Sequence, residues 1–147
     1  MMISIFKKTL LVFVEILAFF IFPLYRLRVE YIEKVVGLIR SLVIKKYLQS
    51  KGAIIGDNFH VGKGVTLRVQ NGAKINIGNS VSLGDFVMLN VREGALLSIG
   101  KSSHINFGSR VSCFTEILIG EDCLIASYAN ILDHGHKYDL MNSPSKT

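Results

Sequence analysis

The chain is predicted to be mainly β, a parallel β-helix built as a three-sided solenoid of stacked coils and preceded by N-terminal helices. Three observations predict it. The second half repeats with a period of 22 residues, apolar residues return every six positions within each copy, and the first 50 residues carry neither pattern. On this basis residues 1–50 form an apolar, basic helical segment, residues 51–140 the solenoid, and residues 141–147 a terminal loop.

The 147 residues allow one domain with an appendage, and half of them are apolar, enough to fill a long narrow core. The net charge of +6 is placed unevenly. Residues 1–51 hold nine Lys or Arg against three Glu, whereas residues 52–147 hold eight basic and eight acidic residues. The whole excess therefore belongs to the N-terminal segment.

That segment opens with Lys7 and Lys8, runs apolar over residues 10–25 with only Glu15 interrupting, and closes with Pro23, Arg26 and Arg28. As a helix this run reaches about 24 Å, short of the roughly 30 Å hydrocarbon core of a bilayer. Basic residues on both flanks set no orientation. The expectation is a membrane-surface or re-entrant anchor at the cytoplasmic face of the cell membrane, with a short transmembrane helix as the rival. A secretory signal is the other possibility, but no small-residue cleavage site follows Tyr25.

Residues 29–48 read as a second helix with Ile32, Val35, Val36, Ile39, Leu42, Val43 and Tyr47 along one face. This face is expected either to cover the first coil of the solenoid as a cap or to lie on anionic lipid. Nucleic-acid binding is not expected, because the basic residues are interleaved with aliphatics and the solenoid is neutral.

From residue 51 onward the repeat takes over. Laying residues 67–88 over 89–110 matches Val69 with Val91, Gly72 with Gly94, Ala73 with Ala95 and Ile77-Gly78 with Ile99-Gly100. A third copy, residues 111–130, is two residues shorter at its first corner. The apolar series runs Ile55, Val61, Leu67; Ile77, Leu83, Leu89; Ile99, Ile105, Val111; Ile119, Ile125, Ile131. Six is neither a helical nor an alternating-strand period, and suits a short strand followed by a sharp corner.

Three such units make a coil of about 18 residues, so a 22-residue repeat places four extra residues at one corner. Asn71-Gly72 and Glu93-Gly94 supply turn residues able to take positive φ there. The third copy writes Thr115-Glu116 instead, which predicts a tighter corner. No coil can bury its apolar side alone, so the aligned Ile, Leu and Val must form shared ladders.

Cys113 and Cys123 lie ten apart with no His at zinc spacing, and read as reduced core or near-core thiols. The pattern breaks after Ile131, where the chain writes Asp133-His134-Gly135-His136-Lys137-Tyr138-Asp139. Two imidazoles and two carboxylates within seven residues cannot all be core. Extended backbone sends His134 and His136 to one side, with Gly135 admitting close approach, and Asp133 and Asp139 are placed to orient a ring or stabilise its cation. The plainer alternative is a solvated polar loop. His60 and His104, away from this segment, read as surface residues.

With the repeat and this segment, residues 55–139 resemble the hexapeptide-repeat acyltransferases of the sugar O-acetyltransferase type, which fold as left-handed parallel β-helices. The resemblance implies acetyl-CoA as acyl donor, no metal, a sugar hydroxyl of a surface polysaccharide or lipid-linked glycan as acceptor, and a homotrimer. An Asp-His-x-His-x-x-Asp segment carries the general base in that family. Mapped here, it makes His136 the first choice and His134 the second, with Asp133 and Asp139 beside them. In the family more coils follow this segment, whereas this sequence ends at 142–147 within what resembles the acceptor-side loop, so a truncated, non-catalytic fragment is an alternative expectation. A zinc enzyme resembling γ-type carbonic anhydrases is a second, with His104, His134 and His136 as conceivable ligands but at spacing unlike that family's.

Overall fold

In a computed structural model, which describes residues 2–135, the chain is a parallel β-solenoid of about four turns with one N-terminal helix. The strands are β1 (Ile54–Ile55), β2 (His60–Val61), β3 (Thr66–Val69), β4 (Lys74–Ile77), β5 (Ser82–Leu83) and β6 (Met88–Val91). They continue as β7 (Leu96–Ile99), β8 (His104–Ile105), β9 (Arg110–Cys113), β10 (Glu116–Ile119), β11 (Leu124–Ile125) and β12 (Asn130–Leu132). Every third strand stacks on its predecessor, giving three four-stranded sheets: β1-β4-β7-β10, β2-β5-β8-β11 and β3-β6-β9-β12.

The registers explain the apolar series. Ile55, Ile77, Ile99 and Ile119 are partners on one sheet, Val61, Leu83, Ile105 and Ile125 on the second, and Leu67, Leu89, Val111 and Ile131 on the third. Each column points inward, and Leu83, Leu89, Ile99, Ile105 and Val111 are fully buried. Removing such a side chain from water stabilises the fold by roughly 1.5–3 kcal/mol each, which offsets the conformational entropy of ordering short strands.

The three corners of a coil are built differently. Between the first and second sheets, an Ile-Gly pair ends the strand because the next coil passes directly over it. A Cβ built on Gly100 would lie 2.5 Å from the backbone of Gly120, so only glycine permits the stacking distance. The bend itself falls two residues later, where Asn58, Ser80, Ser102 and Asp122 all take positive φ. Between the second and third sheets, Gly64, Phe86, Gly108 and Tyr128 occupy the equivalent positive-φ position.

Phe86 and Tyr128 are bulky for left-handed backbone, which costs roughly 1–2 kcal/mol each. Their rings meet Phe107 edge-to-face at 5.5 and 5.4 Å, and such contacts contribute about 0.5–1.5 kcal/mol apiece in compensation.

The third corner carries the four extra residues, 70–73 and 92–95, with Gly72 and Gly94 at φ +79° and +74° as the sequence predicts. In the third copy it shrinks to Phe114 and Thr115, as its two missing residues require.

The N-terminal segment departs from expectation in its number of helices. Instead of separate helices there is one, α1 (Met2–Ser50), whose backbone stays helical through Pro23. Proline forfeits a single intrahelical hydrogen bond, and the Arg26-Leu27-Arg28 that follows contains neither a glycine nor a capping residue to end the helix. Among the described residues, no helix is long and apolar enough to cross a membrane. The chain divides into two compact units at Val36/Gly37, the second comprising the last turns of α1 together with the solenoid.

Within that second unit α1 does cap the first coil, but with a different face from the one the apolar pattern indicates. Gly37, Ser41 and Leu48 are buried, with Ile44 packed against the core, whereas Ile39, Leu42 and Val43 stay more than half exposed. Backbone groups on the open side of β2 decide this. Ser41 Oγ accepts the N–H of Val61 at 2.9 Å while donating to the Gly37 carbonyl, Arg40 donates to the Val61 carbonyl, and Lys45 donates to the Gly56 carbonyl at 2.7 Å. A cap has to satisfy these strand groups, and an all-aliphatic face could not.

Candidate functional site

Asp133 and His134 follow β12 beside the shortened third corner. With only Phe114 and Thr115 between β9 and β10, three successive amides at that corner converge on one point. Asp133 fills it: Oδ1 accepts the N–H of Phe114 at 2.8 Å, and Oδ2 accepts those of Thr115 at 2.6 Å and Glu116 at 2.8 Å. Burial of this carboxyl pushes its pKa up, but the Thr115, Phe114 and Glu116 amides outweigh that and hold it below the ordinary value. Asp133 is therefore an ionised anchor between the last two described coils.

His134 follows directly. Its imidazole stacks on the Phe114 ring with centroids 3.5 Å apart and planes inclined by 21°, while the Arg92 guanidinium lies 4.4 Å over the Phe114 ring. Its Nδ1 is 3.7 Å from Asp133 Oδ1, within ion-pair reach when the ring is protonated. Arg92 opens the four-residue corner of the second coil, so residues from three coils meet here: Arg92, Phe114, Asp133 and His134.

Chemically the cluster places a cation, an aromatic face, a carboxylate and an imidazole side by side, with the imidazole side chain still about one-third exposed. An imidazole so placed can accept a proton from a bound hydroxyl.

Of the residues predicted from sequence, Asp133 and His134 are brought together, whereas His136 and Asp139 lie outside the described residues. Arg92 and Phe114 were not singled out. Their signal was present in the two-residue deletion of the third copy, because a shortened corner leaves amides that some acceptor one coil later must satisfy.

His60 and His104 lie on the outer surface of the second sheet, His60 exposed and His104 half-buried, both in register with Ser82 between them. Among the described residues no three His, Cys, Asp or Glu side chains are grouped to hold a metal ion. Cys113 is buried and donates to the Leu96 carbonyl at 3.1 Å; burial, then the Asp133 charge, raises its pKa and keeps it a thiol.

A shallow groove of about 490 Å³ lies at another corner, with a polar lining that includes Asn76, Asn79, Ser98, Lys101 and Glu121. Its Lys101 and Glu121 are ion-paired at 3.0 Å across adjacent coils. The groove does not include Asp133 or His134. Comparison with known proteins yields no family model, curated protein or solved structure that matches this chain.

Proposed function

We propose that the chain is an acyl-CoA-dependent O-acyltransferase whose solenoid winds left-handed, as in the hexapeptide-repeat enzymes it resembles, and which transfers an acetyl group to a sugar hydroxyl of a surface or lipid-linked glycan. The observation that carries this reading is the anchoring of Asp133. Its three amide hydrogen bonds fix the residue from which His134 and Gly135 continue and which His136 follows in sequence, and a general base needs such a fixed origin. His136 is the preferred base by its place in the resembled motif, and His134, stacked on Phe114, is the second.

In this reaction the imidazole takes the proton of the acceptor hydroxyl as its oxygen bonds to the thioester carbonyl carbon. When the carbon–sulfur bond breaks, the imidazolium returns that proton to the departing thiolate. Asp133 acts as a positioning residue, since both its oxygens are already committed to backbone amides. A homotrimer, with the site between neighbouring subunits, belongs to the same proposal.

The test is release of free thiol from acetyl-CoA in the presence of a panel of sugar acceptors. His136→Ala is expected to abolish release, by 100-fold or more on the usual scale of general-base removal, while leaving the β circular-dichroism signal unchanged. Loss with His134→Ala alone would move the base to His134. Full activity in both variants would end the reading.

A further inference from the structure

The docked part of α1 leaves one face without a partner among the described residues of the second unit. Opposite Gly37, Ser41, Ile44 and Leu48, the segment presents Leu38, Ile39, Leu42, Val43 and Lys46, with Leu42 and Val43 each 61% exposed and Ile39 56%. A contiguous aliphatic face on a surface helix requires an occupant. Its charge narrows the choice. Residues 37–51 contain Arg40, Lys45, Lys46 and Lys51 and no acidic residue, while residues 52–147 balance to zero.

A second copy docking through this face would set Lys46 and its basic neighbours against an equally basic segment, with nothing to neutralise them. An anionic lipid surface supplies both things the face lacks, an apolar boundary for the aliphatics and phosphates for the lysine. Lys46 lies among the aliphatics, where a long stem can run along acyl chains and deliver its ammonium to the headgroups.

We propose that this face of α1 lies in the interface of an anionic membrane, with Ile39, Leu42 and Val43 at the acyl boundary and Lys46 among the headgroup phosphates. One helix segment then serves two partners, its polar and small side capping the solenoid and its aliphatic side holding the first coil against lipid. The proposal is independent of the transfer chemistry.

The apolar run at residues 10–25 could bind lipid by itself, so the test reads depth locally, on the full chain. A polarity-sensitive fluorophore is attached at Val43→Cys in a Cys123→Ser background and mixed with vesicles of phosphatidylcholine, alone or with one third phosphatidylglycerol. The expected result is a blue shift on the anionic vesicles with quenching by brominated acyl chains, and loss of both at position 43 for Ile39→Gln/Leu42→Gln or for Lys46→Glu with the β signal intact. Three outcomes overturn it: no quenching by brominated lipid, an equal response to neutral vesicles, or a blue shift that grows with protein concentration in the absence of lipid.

Discussion

Asp133 supports three backbone amides with one carboxylate, and each bond is charge-assisted. Asp133→Ala removes the acceptor of one partly buried and two exposed amides and is expected to lower unfolding free energy by about 1–2 kcal/mol, read from urea denaturation. The pH dependence has a definite sign. Because the folded-state pKa lies below the ordinary 3.8, the contribution is complete above that value and is lost as pH falls from it through the lowered one. Asp133→Asn should flatten this acid limb. For the cysteines, iodoacetamide is expected to modify the folded chain at Cys123 only, with Cys113 reacting on denaturation, as peptide mass mapping would show; alkylation of Cys113 in the folded state would contradict its buried, protonated position. Asp133 stood out in the sequence as a pattern breaker, but its role as an anchor did not, because the amides it binds lie 17–19 residues earlier and only the coil spacing brings them near.

The strand ladders were fully legible as elements because a period of six forces the same residues into three columns, and the observed registers reproduce those columns one for one. The corners were half legible. Gly72 and Gly94 announce themselves as turn glycines, but Phe86 and Tyr128 take left-handed backbone that no propensity predicts, held by aromatic contacts that exist only once the coils stack. The docking face of α1 was not legible from hydrophobicity. What chooses it is the open edge of β2, where polar atoms are wanted, and Ser41 meets the need from inside a helix. Ser41→Ala should therefore cost about 1–2 kcal/mol despite the better helix propensity of alanine, and should accelerate hydrogen exchange at the Val61 amide. Unchanged exchange at Val61 would show that the cap does not depend on this bond.

At the scale of the whole molecule, the chain separates its tasks along its length. The basic, apolar beginning supplies +6 and the neutral solenoid supplies a rigid prism. Asp133 and His134 sit where the repeat is shortest, and Asp133 is tied to the preceding coil. The fold follows from repetition, which sequence displays directly; the proposed chemistry rests on the few residues that break it, and part of that segment, His136 and Asp139, lies outside the described residues. The proposed function requires this solenoid to bind an acyl-CoA donor. Titration of the full chain with acetyl-CoA by calorimetry in mild detergent tests it most directly. Saturable binding at one site per chain is the predicted result, and no heat of binding from a chain that retains its β signal would contradict the claim.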